Sequence, residues 1–502
     1  MDASDLLRAV AAAPDDDAPR LVYADWLEQQ GDPRGELIVI QCALAALEEG
    51  TERTPSHGAL VDGVRRVALE AREKELLAAH RGRWLAELGL SPVEGSFRRG
   101  FVEDVILGDA RLMAVHDTLS SAPAPIRGLR LHLGPGDPMV RITRLMELSF
   151  LGSLAKLQLR SSPLTEESAR ALARSPNLRG LSYLGVKTSM ADRDVFRALF
   201  SSSHLSGLTS LDLSFGHVGT QGAKMLEASP HIIGNLTHLN LGSSRLGTEG
   251  ALALLSSRNL SRMTHLDLSG NDIEVEQALV SFGALSQLVS LNLSSNGVRA
   301  AGIEAAPGPA RLSELNLSYN EIGDGGAMAL AALPHLGRLT SLHLWGASLG
   351  PAGVAALASS PYFTHLIALS LGQNRAGPEG ALALATAPSL ARLERLNLWD
   401  NQLGDKGAKA LATSPELTSL TYLDLGKNGI RSTGARALAS APLAAHLTDL
   451  DLRDNAIGDD GAAALAASPH LSRIRLLNLR YCPMASKSAD LLRARFGDRV
   501  LL

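Results

Sequence analysis

The sequence predicts an α/β solenoid: stacked short repeats, each a strand followed by a helix, behind an all-helical amino-terminal domain. Two observations predict it. The first is a leucine-rich phrase that returns from Ile126 to the end of the chain, every 27 residues over the final five intervals. Its clearest copies are Leu393-Glu-Arg-Leu396-Asn-Leu398-Trp-Asp-Asn401, Leu420-Thr-Tyr-Leu423-Asp-Leu425-Gly-Lys-Asn428 and Leu447-Thr-Asp-Leu450-Asp-Leu452-Arg-Asp-Asn455. A fixed period of this kind is the signature of a repeat array. The second is the helical pattern between phrases, as in Gly407-Ala-Lys-Ala-Leu-Ala-Thr-Ser-Pro415, where proline ends the helix.

Composition narrows the function classes. A formal net charge of −4 gives no reason to expect a nucleic-acid binder. Two cysteines, Cys42 and Cys482, cannot make a disulfide framework, which points to a reducing, cytoplasmic setting. The start Met1-Asp-Ala-Ser-Asp-Leu-Leu lacks the basic and apolar regions of a signal peptide. No run of about 18 apolar residues predicts a membrane span. Arginine far outnumbers lysine, the bias of a GC-rich bacterial genome.

Residues 1–95 carry no repeat and read as helices. Ser4 is placed to cap a helix through Val10, and Asp15-Asp-Asp-Ala-Pro19 reads as a second helix start. Gly31-Asp-Pro33 stops that helix, Arg34 to Glu48 forms a third, 51–58 a loop, and Ala59 to His80 a fourth. Val102-Glu-Asp-Val105-Ile-Leu107 is expected as the first strand of an array spanning 96–485, with 486–502 a capping helix. The segment Arg20-Leu-Val-Tyr-Ala-Asp-Trp-Leu-Glu-Gln-Gln-Gly-Asp-Pro-Arg-Gly-Glu36 resembles the repeat-companion domain of myxobacterial and planctomycete proteins. That family has no established activity, so the resemblance implies context rather than chemistry. Tyr23 and Trp26 are expected to anchor the helical core, and Asp25, Asp32, Arg34 and Glu36 to form a local ion-pair network.

The repeats at roughly 100–485 resemble the ribonuclease-inhibitor class of leucine-rich repeats. The resemblance implies a horseshoe, with the parallel sheet concave and the helices convex. Helices need about 8–10 Å of lateral room and paired strands about 4.8 Å, which curves such a stack toward its sheet. Leucines at alternate strand positions face inward and the residues between them face the trough. Asn271, Asn296, Asn320, Asn374, Asn401, Asn428 and Asn455 recur where strands end, as buried amides serving neighbouring turns. Gly216, Ser244, Ala347 and Cys482 replace them elsewhere.

The central strand position carries Asp212, Asn240, Asp267, Asn292, Asn316, His343, Ser370, Asn397, Asp424, Asp451 and Asn478. It looks like a cation ladder but lacks the convergent ligands calcium requires, so no metal is expected. Two residues further on, small residues give way to Trp345 and Trp399 in alternate repeats, with Gly372 between. Their strands lie two rungs apart, roughly 10 Å. The indoles read either as walls of a slot over Gly372 or as rings packed flat on neighbours. His343, Arg395 and Asn397 would line the slot, with Tyr319 and Tyr422 one strand beyond. Charge is graded: Arg130, His132, Lys156 and Arg160 come early, and Asp400, Asp424, Asp449, Asp451 and Asp454 late. His238 and His265 fall on adjacent strands, as a polar wall or an acid–base pair.

Phosphate-loop, zinc-protease and nucleophile-elbow motifs are absent, and Leu133-Gly-Pro-Gly136-Asp is not a dinucleotide fingerprint. The expected function is a non-enzymatic scaffold, without cofactor, binding a protein partner at Trp345, Trp399, His343, Gly372, Arg395, Asn397, Tyr319, Tyr422, Asp424 and Asp451. Two alternatives stay open. The repeat class also resembles the Ran GTPase-activating protein, which would make a small GTPase the partner, although no motif places its catalytic arginine here. An aromatic slot also suits peptide or carbohydrate.

Overall fold

The computed structural model describes residues 2–51, 59–122, 126–134, 138–160, 164–187, 193–274, 285–300 and 309–502. Residues 52–58 of the loop expected at 51–58 and most of the Leu133-Gly-Pro-Gly136-Asp segment lie outside them, and residue 51 ends a helix. The chain divides into two compact units, Met1–Asp212 and Leu213–Leu502.

Unit 1 opens with four helices, α1 (Ala3–Ala12), α2 (Asp17–Gln29), α3 (Arg34–Thr51) and α4 (Ala59–Ala86). Asp2 caps α1 by accepting from Asp5 N, so Ser4 lies inside the first turn rather than at the cap. Asp16 caps α2 by accepting from Ala18 N, one residue into the acidic run. The helix ends at Gly31, whose φ of +71° is open to glycine. The apolar stripes of α1–α3 meet in a core of Leu6, Val10, Tyr23, Ala24, Leu27, Ile38 and Cys42, joined by Phe101. Tyr23 stacks on Trp26 and on Phe101, each with ring centroids 5.9 Å apart. Arg34 bonds Asp32 and Glu87, and Glu36 bonds Arg72, whereas Asp25 is exposed.

A strand that the sequence pattern did not reveal, β1 (Gly95–Arg98), pairs antiparallel with β2 (Phe101–Gly108). Arg20 of α2 reaches this hairpin. It is 2% exposed, bonds Glu103 at 2.6 Å and lies over the Phe101 ring. Parallel strands then follow: β3 (Gly128–His132), β4 (Lys156–Arg160), β5 (Tyr183–Gly185) and β6 (Ser210–Asp212).

Unit 2 repeats one plan. Its strands are β7 (His238–Asn240), β8 (His265–Asp267), β9 (Ser290–Asn292), β10 (Glu314–Asn316), β11 (Ser341–His343), β12 (Ala368–Ser370), β13 (Arg395–Asn397), β14 (Tyr422–Asp424), β15 (Asp449–Asp451), β16 (Leu476–Asn478) and β17 (Val500–Leu501). Neighbours pair parallel, leucine beside leucine, from Leu239 to Leu477. The leucines of each phrase are buried, as with Leu393, Leu396 and Leu398. Helices such as Gly377–Ala385 and Gly404–Ala412 pack on one another through alanine and glycine, since bulk there would separate the rungs. The chain ends in helix Ser486–Phe496, followed by β17 against β16.

The strand-end asparagines bond as their chemistry requires. Asn428 Oδ1 accepts from Asn401 N and Leu403 N of the preceding rung. Its Nδ2 donates to Leu398 O of that rung and Gly426 O of its own. Asn271, Asn374, Asn401 and Asn455 repeat the pattern. Cys482 keeps one part of it, its thiol donating to Leu452 O. Burial pushes that thiol up to about 11, so it stays protonated.

Candidate partner-binding face

The sheet face of unit 2 is built from the residues between the buried leucines. Its Asp/Asn row has a local purpose. Asn240, Asp267, Asn292, Asn316, Asn397, Asp424, Asp451 and Asn478 each accept from the backbone N–H two residues on. A short side chain that accepts at this reach turns the strand out of the sheet. The turn then passes through left-handed backbone at Phe215, Ser243, Ser295, Tyr319, Gln373, Asp400, Lys427, Asp454 and Tyr481. Among the described residues, no cluster of three or more His, Cys, Asp or Glu side chains could hold a metal ion.

The two tryptophans do not wall a slot. Their ring centroids are 5.4 Å apart and their planes 17° from parallel, well short of the roughly 10 Å between the strands that carry them. Gly372 explains the closure. A Cβ on Gly372 would fall 2.4 Å from Trp345 Cε3, so only glycine lets Trp345 lean across the intervening rung. Gly426, on the side of Trp399 away from Trp345, gives that ring's edge room, since a Cβ there would fall 2.6 Å from Cδ1. Trp345 Nε1 donates to Gln373 Oε1, and the Lys427 ammonium lies 5.0 Å from the Trp399 ring centroid. Trp399 Nε1 is buried without an acceptor. Both indoles remain partly exposed, and Tyr319, 55% exposed, lies against Gly346. The result is an aromatic platform.

The other expected site residues form a separate polar group. Arg395 stacks over the Tyr422 ring at 4.3 Å. Asn397 Nδ2 donates to Asp424 Oδ2, and Asn478 Nδ2 donates to Asp451 Oδ2. Between the two carboxylates lies Arg453, 3.8 Å from Asp424 and 3.7 Å from Asp451. His343 bonds Ser341 rather than joining the platform. Gln373 and Gly426 were not singled out from sequence, and Lys427 and Arg453 were read there only as cations diluting the late acidic residues. A glycine one rung beyond each tryptophan was the available signal for the stacked arrangement.

Burial pushes the Asp424 carboxyl up to about 6, and Asp451 adds to the shift. The Gly426 N–H, Arg453 and Asn397 oppose it. The folded chain therefore holds this proton through a window where the unfolded chain, at 3.8, has lost it. The stabilisation is complete below the unfolded value and is lost as pH rises through about 6. Asp424→Ser, the residue type of Ser370 on this row, is expected to flatten the profile of unfolding free energy in urea between pH 5 and 8 by on the order of 1 kcal/mol. Matching profiles for the two proteins would remove Asp424 as the titrating group.

His238 and His265 stack with centroids 4.2 Å apart and planes 6° from parallel. Thr264 Oγ1 donates to Thr237 O, so its oxygen receives the His265 Nδ1 proton. Burial, with His265 beside it, holds the His238 imidazole below its usual range. The stacked rings form part of the sheet face. No helix among the described residues is long and apolar enough to cross a membrane.

The leucine-rich-repeat family matches residues 204–226, 235–255, 261–276, 312–331, 392–412, 416–439 and 444–466. No curated protein matches the chain. Among solved structures, it is similar to an internalin of Listeria monocytogenes at 17% identity and a TM-score of 0.43, covering 67% of this chain and 94% of that one. It is similar to a leucine-rich-repeat protein of Leptospira interrogans at 18% identity and 0.43, covering 75% and 90%. A third likeness, to the yeast Rad7–Elc1 complex, has 16% identity and 0.46, covering 89% and 98%. The chain carries leucine-rich repeats, and its fold is their α/β solenoid with a helical amino-terminal region.

Proposed function

We propose that the protein is a non-enzymatic recognition scaffold whose unit 2 sheet face binds another protein. One observation carries this reading: a stacked pair of partly exposed tryptophans beside the exposed Tyr319 on the sheet face. Such rings are rigid, present apolar area at low entropic cost and dominate the energetics of protein interfaces. The partner's apolar side chain packs on the platform, and Arg395, Tyr422, Asp424 and Asp451 form the polar rim. The amino-terminal likeness to repeat-companion domains and two free cysteines fit a bacterial, cytoplasmic setting.

Affinity capture from native lysate tests the reading, with the wild type beside a Trp345→Ala/Trp399→Ala variant. A protein retained by the wild type and lost with the variant is expected, while the urea midpoint of the variant falls by no more than about 1–2 kcal/mol. Identical captures, or a variant that unfolds, would make the stack a packing element.

A further inference from the structure

Unit 1 presents a second, chemically different feature on its own sheet face. Arg130 on β3, Lys156 and Gln158 on β4, and Tyr183 on β5 line a cavity of about 350 Å³ that also touches Asp104 and Ser96. Two glycines shape it. A Cβ on Gly128 would fall 1.7 Å from Asp104 Oδ1, and one on Gly185 would fall 2.9 Å from the Tyr183 hydroxyl. Asp104 therefore lies across the neighbouring rung and Tyr183 along its own strand, and the space above stays open.

A chain of hydrogen bonds orients the cation. Arg130 Nε donates to Gln158 Oε1 at 3.0 Å, Gln158 Nε2 to the Tyr183 hydroxyl at 3.5 Å, and that hydroxyl to Asp212 Oδ2 at 3.2 Å. The guanidinium is thus positioned by a neutral amide, which leaves its charge uncompensated. Among the described residues, neither the Arg130 Nη nitrogens nor the Lys156 ammonium has an ion-pair partner. A guanidinium held by Nε with both Nη groups free is prepared to fork a carboxylate.

We propose that this cavity docks an extended acidic segment of a protein, with one carboxylate forked by Arg130 and a second on Lys156. Arg130 pairs with Gln158, two residues along from Lys156. Strand geometry places the Cα atoms of Arg130 and Lys156 roughly 8 Å apart, close to the span of about 7 Å between alternate residues of an extended peptide. Asp104 and Asp212 bound the positive strip on β2 and β6. A nucleic-acid backbone, charged at every nucleotide, would meet those carboxylates, whereas a peptide acidic at alternate positions leaves neutral residues opposite them. The site is independent of the tryptophan platform.

Fluorescence anisotropy on the full chain tests the assignment. The probes are a fluorescein-labelled ten-residue peptide of alternating Glu and Ser, its Gln–Ser counterpart and a ten-nucleotide oligothymidylate. The Glu–Ser peptide is expected to bind at low salt and weaken as salt rises, and the Gln–Ser peptide to bind negligibly. Arg130→Gln/Lys156→Gln is expected to weaken binding at least about tenfold, with an unchanged unfolding midpoint because both side chains are exposed. Gln158→Leu keeps both charges but frees the guanidinium, and is expected to weaken binding by about threefold. The Trp345→Ala/Trp399→Ala variant should bind the peptide as the wild type does. Equal binding by the charge-deleted variant, no binding by the wild type, or tighter binding of the oligothymidylate would each overturn the proposal.

Discussion

Replacing Arg20 with alanine is expected to destabilise unit 1 by about 3–5 kcal/mol. Three acceptors lose their donor at once: Glu103, 4% exposed, and the carbonyls of Pro14 and Arg99. The Glu103 carboxylate would then be buried without its counter-charge, which is the expensive half of breaking such a pair. Replacing both partners, as Arg20→Met/Glu103→Leu, removes the orphaned charge and should recover most of the loss. Because a chain of two units need not unfold in one step, amide hydrogen exchange on α2 and β2 is the appropriate readout. A loss below about 1 kcal/mol for Arg20→Ala would show that water or local rearrangement solvates Glu103.

Asn428→Ala is expected to cost about 2–4 kcal/mol, the second largest effect. The side chain is 2% exposed and satisfies two backbone donors and two backbone acceptors. Alanine leaves all four unpaired, each worth about 1 kcal/mol or somewhat less when bonds are shared. The Asn296 side chain makes similar bonds, accepting from Asn271 N and Ile273 N and donating to Leu268 O, but is only half-buried, so the same substitution there should cost less. Urea unfolding of the two variants makes the comparison. Equal losses at both sites would mean that burial does not set the energy of the ladder.

The repeat architecture was legible because a strand of three to five residues with alternate leucines leaves few other ways to bury them. The asparagine ladder was legible for a related reason, since a buried amide at a strand end must serve the neighbouring backbone. The platform was less so. Spacing gave the two tryptophans alternate rungs, but the tilt of each ring depends on the glycine one rung further on, a relation between residues 27 apart. The β1 strand escaped notice because Gly95–Arg98 has no periodic pattern and pairs only through the turn at Arg99 and Gly100, both at positive φ. Arg20 reads in sequence as one more solvated cation on an amphipathic helix. Only the hairpin beneath it makes it buried.

The asparagine ladder also has a direction. Each amide serves the rung before it, as Asn428 serves Asn401 and Leu403, and Asn455 serves Asn428 and Ile430. A rung is therefore left with open backbone donors until its successor exists. A chain growing on the ribosome from its amino terminus would carry one unfinished turn at its leading edge, closed by the next repeat to emerge. Shortening the array from its carboxy-terminal end would strand those turn donors permanently, while shortening it from the other end would keep them bonded and instead strand the strand-entry donors, such as Thr448 N and Asp449 N, which both reach Thr421 O of the rung before.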